Sequence, residues 1–348
     1  MSTARPPMPM PIKRVVREAR EEAQDLAMSP LATRAFGSGN RDRAEDPDPY
    51  RTCFERDRDR IVHSLAFRRL KHKTQVFINP EGDHTITRLT HVLQVAQVAE
   101  ALAAAMGLNS ALAEAMALGH DVGHTPFGHA GEDALDARLE GGWVHSYQSV
   151  RIYEVLEPLN LCAETREGIA RHPWKINPPP ITPEGWCVRY ADRIAYLAHD
   201  VMDAMRAGMI RAQDIPTSVT DALGQPGSKW ITRLIQSVVD YSVSNGHVEM
   251  DPAWFPIFDE LRDWMFVHVY KSPEQEKQAR AAHRVINDLF DFYLAHPDKL
   301  PERYRDRSAS LDIQVADHVA GMTDRYALQV HDQLFRPRLF DQPHSGLT

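Results

Sequence analysis

The 348-residue chain is short of four things, and each shortage excludes something. It has only three cysteines, Cys53, Cys162 and Cys187, far apart along the chain and in no metal-type spacing. An odd, scattered set makes no disulfide framework, so a reduced, cytoplasmic compartment is expected. It has no apolar run near the ~20 residues of a membrane span. Its first residues, MSTARPPMPMPIKRVV, lack the continuous apolar core of a signal peptide, and no membrane partner is expected. It has no excess of positive charge: the formal net charge is −8. That argues against bulk attraction to nucleic acid and leaves room only for a local basic patch. Strand signals are scarce. What the chain holds in excess is histidine, 17 residues in all, and clustered.

Hydrophobic content of 43% and charged content of 25% are ordinary for a globular protein. The length allows one large helical domain or two smaller ones. Three regions are expected: an N-terminal flexible segment with a short helix (1–50), a catalytic core (51–210) and a C-terminal helical region (211–348). Residues 1–12, rich in Pro and Met, read as disordered, 12–27 as a charged amphipathic helix, and FGSGNRDRAEDPDPY (36–50) as a flexible loop. From Arg51 onward the periods are helical. RDRDRIVHSLAFRRLKHKTQVF (56–77) spaces Ile61 and Leu65 by four and ends in the basic tract Arg68, Arg69, Lys71 and Lys73. No internal repeat is present. Helix breaks are expected near 225–228, 244–246, 271–273 and 296–301, where Gly, Pro and Ser gather.

Three helices carry the chemistry. In residues 84–106, Val95, Val98 and Leu102 form an apolar stripe, and four residues before Val95 stands His91. In residues 110–121, with Ser110 as the expected N-cap, Leu112, Met116 and His120 share a face, and Asp121 follows. Gly123 and Pro126 should stop that helix. In residues 186–205, Ile194, Leu197, Val201 and Met205 make the apolar stripe and Asp192, Tyr196, Asp200 and Asp203 a polar one. One histidine on an apolar face is usually a satisfied core residue. Three helices all presenting imidazoles or carboxylates make coincidence a poor account. His91, His120, Asp121 and Asp192 form a mixed N/O donor set for a divalent cation, whether Mn, Mg, Fe, Co, Ni or Zn. Such an ion lowers the pKa of water and polarises a phosphoryl oxygen. The stretch LGHDVGHTPFGHAGEDAL (118–135) adds His124, His129 and Glu132 to a turn that needs only its glycines and proline. His129 and Glu132 stand three apart, close enough to pair on a helix.

The H…HD…D pattern of His91, His120-Asp121 and Asp192 resembles the HD superfamily of metal-dependent phosphohydrolases. Its flanks are more specific. Residues 56–77, HDVGHTPFGHAGEDAL (120–135), HSYQSVRI (145–152), YADRIAYLAHD (190–200) and ADHVAGMTDRYAL (316–328) resemble the deoxynucleoside triphosphate triphosphohydrolases, the dGTPase family, over roughly residues 50–340. The resemblance implies an all-α HD-domain fold with additional C-terminal helices, and metal-dependent hydrolysis of a dNTP, dGTP among them, to deoxynucleoside and inorganic triphosphate. It implies metal ligation by His91, His120, Asp121 and Asp192, and an acid–base pair of His129 and Glu132 with His124 beside it. It points to Arg88, His124, His145 and Arg193 on the phosphates, with Arg262, eight residues before Tyr270, a weaker match. It points to Gln75 and Asp200 for the 3′ hydroxyl and to Tyr196 and Tyr270 as pocket walls. Relatives form hexamers or tetramers, so a homo-oligomer is expected, with a dNTP effector in some of them. The basic tract fits a subunit contact, an effector site or a single-stranded nucleic-acid groove equally well. One departure is local: many bacterial relatives carry Asn and Glu where this chain has Ser146 and Tyr147. The rival readings are an HD nucleotidase or phosphodiesterase acting on another nucleotide, and a nucleotide-sensing or single-strand-binding protein with little catalysis.

Overall fold

The computed structural model describes residues 12–75, 86–305 and 308–336. Among them the fold is all-α, as expected, with fifteen α-helices and one isolated antiparallel bridge between Thr74 and Thr87. In chain order the helices are α1 (Arg17–Ala27), α2 (Cys53–His63), α3 (Leu65–Arg69), α4 (Arg88–Ala105), α5 (Ser110–Gly119), α6 (His129–Asp136), α7 (His145–Arg151) and α8 (Ala163–Arg171). They continue with α9 (Pro183–Arg206), α10 (Thr217–Leu223), α11 (Ser228–Asn245), α12 (Phe255–Met265), α13 (Pro273–Ala295), α14 (Leu311–Ala320) and α15 (Asp324–Phe335). The disorder expected of residues 1–11 lies outside the described residues. No helix among the described residues is long and apolar enough to cross a membrane.

Helix ends follow local chemistry. Residues 56–77 do not make one helix, because Ser64 caps a second one: its side chain accepts from the Phe67 amide at 3.1 Å. Thr87 opens α4 through a capping box with Thr90. The cap of α5 is Asn109, whose side chain accepts from the Leu112 amide at 3.2 Å; Ser110 is already inside the helix. The first helix starts at Arg17 rather than at residue 12.

The centre of the molecule is the mutual packing of α4, α5 and α9. Val95, Leu102, Leu112, Met116, Ile194 and Val201 are fully buried there, so the three chemistry-bearing helices meet through the stripes read from the sequence. This core continues through α11 and α12 to Val269. A second core joins α6 to α13, α14 and α15 through Leu135, Ile286, Leu289, Phe290, Val315 and Val319.

The 36–50 stretch is irregular but clamped. Arg41 and Asp57 form a buried ion pair at 2.6 Å, and Asp57 also accepts from the Cys162 amide (2.8 Å) and the Thr165 hydroxyl (2.7 Å). Cys53 and Cys162, distant in sequence, converge here: a Cβ at Gly39 would touch both sulfurs. All three cysteines are free and buried. Removing one partner of such a buried pair strands the other. Asp57→Ala is therefore expected to lose ~3–5 kcal/mol of stability in urea unfolding; a loss below ~1 kcal/mol would show that the clamp contributes little beyond an exposed pair.

Candidate active site

The three central helices aim five side chains at one another. Arg88 and His91 lie a turn apart at the start of α4, His120 and Asp121 follow the end of α5, and Asp192 lies within α9. His91 Nε2 is 3.1 Å from Asp192 Oδ1 and 3.9 Å from Asp121 Oδ2. His120 Nε2 is 3.2 Å from Asp121 Oδ1 and 3.8 Å from Asp192 Oδ1. Arg88 is turned inward, donating to Asp121 Oδ2 at 2.7 Å and to the Thr74 carbonyl at 3.0 Å. Burial alone would push the Asp121 carboxyl up; the His120 and His124 imidazoles and the Arg88 guanidinium outweigh it and hold Asp121 well below the usual carboxylate range. Burial of Asp192 is likewise outweighed, by its bond to His91.

The donor set fits a divalent cation. His120 Nδ1 donates to the Ala117 carbonyl at 2.6 Å, which fixes the ring and aims Nε2 at the two carboxylates; Nε2 is buried with no hydrogen-bond partner. A ligand imidazole is commonly oriented in this way, by its other nitrogen on a carbonyl. The donor atoms of His91, His120 and Asp192 lie within 4.8 Å of one another.

A second cluster gathers round Glu132. Its Oε1 is 2.7 Å from His124 Nδ1 and 3.2 Å from His145 Nδ1, and its Oε2 is 3.1 Å from His129 Nδ1. The His124 and His145 rings stack at 3.8 Å. Burial pushes Glu132 up, yet the surrounding imidazoles hold it well below the carboxylate range. The hydrogen bond to Glu132 raises the His129 imidazole, whose ring faces solvent. Burial lowers His145, and the neighbouring His124 lowers it further. His124 bridges the two clusters, since its Nε2 is 3.2 Å from Asp121 Oδ1.

The backbone that delivers these groups is unusual. Phe127 has φ +64°, in a region that favours glycine, and Gly128 follows at φ +58°. Gly128 then caps α6, so this left-handed turn aims His129 and Glu132 back toward His124. At Gly123 the chain runs against the start of α7: a Cβ would sit 2.2 Å from the His145 carbonyl oxygen. Hence the glycines set the approach of two histidine-bearing segments.

A pocket wall continues along α9. Tyr270, in the wide turn after α12, donates to Asp200 Oδ2 at 2.7 Å and stacks on Tyr196 at 5.6 Å. Burial pushes the Asp200 carboxyl up to about 7. Gln75 Oε1 is buried without a hydrogen-bond partner, and the Gln75 backbone abuts Gly128. Arg193 and Arg262 meet on the Asp259 carboxylate at 3.0 and 3.1 Å, and Arg262, half exposed, also pairs with Asp263 at 2.9 Å. Of the basic tract, Arg68 and Lys71 are exposed, whereas Lys73 is buried and donates to the backbone carbonyls of His124 and Ala320. Beside His145, Ser146 is buried against the Ala170 carbonyl at 2.8 Å and Tyr147 faces solvent.

One residue of the cluster is not evident from sequence patterns. His172, the C-cap of α8, donates from Nδ1 to the Ile169 carbonyl at 2.8 Å, as His120 does to Ala117. Its ring lies 4.7 Å from that of His120, and its Nε2 is 3.4 Å from His145 Nε2. Burial, with His120 and His145 adding to it, keeps the imidazole well below its usual range and so neutral.

Comparison with known proteins gives this arrangement its class. Residues 88–197, which hold every metal-ligand candidate, match the HD domain, and residues 248–333 match the phosphohydrolase-associated domain. This is an HD-domain phosphohydrolase. Similar chains, each carrying the name deoxyguanosinetriphosphate triphosphohydrolase-like protein, come from several bacteria. The chain from Caldanaerobacter subterraneus subsp. tengcongensis is 44% identical, over 92% of this chain and 96% of that one. That from Desulfatibacillum aliphaticivorans is 40% identical (92% and 98%), and that from Cereibacter sphaeroides 37% identical (88% and 99%). The chain belongs to this dGTPase-like family.

Proposed function

We propose that the protein hydrolyses deoxynucleoside triphosphates to deoxynucleoside and inorganic triphosphate, acting in the cytoplasm as a homo-oligomer. The observation that carries this reading is His124. Lying within 3.2 Å of both Asp121 and Glu132, it joins a metal-type donor set to a proton-handling cluster in one continuous site.

His91, His120, Asp121 and Asp192 would hold a divalent cation, which when bound lowers the pKa of water and polarises a phosphoryl oxygen. Oxygen from water joins the α-phosphorus while the bond from that phosphorus to the 5′ oxygen breaks. The leaving 5′ oxygen needs a proton, and His129, kept protonated by Glu132, supplies it. His124, His145, Arg88, Arg193 and Arg262 offset the triphosphate charge; Arg88 would exchange part of its bond to Asp121 for a phosphate oxygen. The C-terminal region completes the sugar pocket through Tyr270. Hydrolysis in ¹⁸O-water tests the cleaved bond. The label is expected in the triphosphate and not on the nucleoside; label on the nucleoside, or release of orthophosphate or pyrophosphate, contradicts the reading.

The sugar pocket makes its own prediction. Gln75 and Asp200 are assigned to the 3′ hydroxyl. Asp200 keeps Tyr270 as a partner when that hydroxyl is missing, so the cost of a dideoxy substrate falls chiefly on Gln75. A dideoxy substrate should lose ~10-fold or more in kcat/KM, since one unpaired buried polar group costs ~1–3 kcal/mol. Tyr270→Ala should relax rejection of ribonucleotides more than it slows dNTP hydrolysis. The comparison is kcat/KM on matched dNTP, rNTP and ddNTP. Equal parental values would defeat the pocket, and an unchanged ratio in the variant would defeat only the role of Tyr270.

A further inference from the structure

The ADHVAGMTDRYAL segment lies in the C-terminal region, outside the donor sets, yet its carboxylates reach the site from behind. Asp324, the first residue of α15, is buried, and both its oxygens are used across the molecule. Oδ2 accepts from the Thr74 amide at 3.0 Å and from the Thr74 hydroxyl; Oδ1 accepts from the Phe127 amide at 3.0 Å. Capping of α15 falls to Thr323, whose side chain accepts from the Tyr326 amide. Asp324 is therefore not explained as a helix cap.

The two segments it joins carry residues used in the proposed reaction. Thr74 precedes Gln75, and its carbonyl accepts Nε of Arg88. Phe127 is the left-handed residue two positions before His129. A non-glycine residue keeps such a conformation only where surrounding bonds over-determine it, and the bond from its amide to Asp324 is one of these. Lys73 adds a second tie, from Ala320 at the end of α14 to the His124 carbonyl. Asp317 adds a third: it accepts from Gln148 at 2.8 Å and from Arg151 at 2.7 Å, both on the helix that His145 begins.

We propose that Asp324 is a positioning residue, which holds the Phe127–Gly128 turn in register with Thr74 and, through the Thr74 carbonyl, with Arg88, and so sets where His129 meets the leaving oxygen. Asp324, within the phosphohydrolase-associated region, thus acts on catalysis without itself touching substrate. The proposal rests on the reading of His129 as the acid.

The test compares full-length parent, Asp324→Asn and Thr74→Val for kcat, KM, metal content and amide hydrogen exchange at Phe127. Asparagine keeps the shape but turns an N–H toward a backbone or hydroxyl donor. The expected result is kcat lower by ~10–100-fold, the scale of a small misplacement of a reacting group. KM and metal content should stay near parental, with faster exchange at Phe127. Thr74→Val, which removes one hydroxyl and threatens folding less, should show the same pattern more weakly. Parental kcat in folded Asp324→Asn overturns the proposal, as does a loss shared equally by kcat, KM and metal content. Exchange at Phe127 needs no substrate, so parental protection in Asp324→Asn overturns the brace even if the protein proves inactive on dNTPs.

Discussion

Asp121→Asn is expected to fold, to lose its bound metal and to lose turnover. The substitution keeps the side chain's size and removes only its charge. That charge is balanced by Arg88 at 2.7 Å and by His120 and His124 at 3.2 Å. A neutral amide still accepts from Arg88, but it can no longer serve as an anionic ligand beside His120 Nε2. Loss of an outer-shell partner costs ~10–100-fold in metal affinity, so loss of a direct anionic ligand should exceed ~100-fold. The hydrophobic packing of α4, α5 and α9 does not involve the carboxylate, which is why the fold survives, although Arg88 becomes a less compensated buried charge and the melting temperature should fall. Metal content by elemental analysis of the purified variant separates this from unfolding. A folded variant with full metal and parental rate would remove Asp121 from the site.

The second large effect is expected at His129. His129→Ala should keep metal and substrate binding and lower kcat by ~10²–10⁴. The sign of the pH dependence follows from the Glu132 bond, which raises the His129 imidazole. The protonated form is the donor, so kcat falls as pH rises through that raised value. Glu132→Gln removes the carboxylate that keeps the proton on His129, and the alkaline limb of the profile should move to lower pH. Because Glu132 also lies against His124 and His145, its loss disturbs three imidazoles at once, and its effect on kcat should approach that of His129→Ala. If His129→Ala changes only the apparent substrate affinity, the residue is a binding group and not the acid.

The helices and the donor set were legible in the sequence for one physical reason. Apolar residues three or four apart mark a buried face, and His91 and His120 interrupt such faces, so their place next to the core follows from periodicity. His172 carries no such mark. It is a single histidine between a helix end and Pro173, and only the meeting of α5 with α8 brings it to His120. The partners of Asp324 lie about 200 and 250 residues away in sequence, where local pattern says nothing. Lys73 looked like part of a basic surface, because charge alone does not reveal burial. The direction of Arg262 is not readable from its eight-residue offset to Tyr270, because residues 266–270 form a π-helical turn, which rotates one side of it relative to the other. The cap of α5 was missed by one residue, because Asn109 and Ser110 are both good caps.

On the proposed reading, this site cleaves a dNTP into nucleoside and intact triphosphate. The most direct measurement is to incubate the purified full-length protein with each dNTP, singly and mixed, with Mn or Mg, and to quantify every product. Mixtures are included so that a requirement for one dNTP in the hydrolysis of another is detected. Deoxynucleoside and triphosphate are expected in equal amounts, and neither is expected with Asp121→Asn. Orthophosphate released from a monophosphate, or binding of nucleotides without turnover under every metal and mixture, would contradict it.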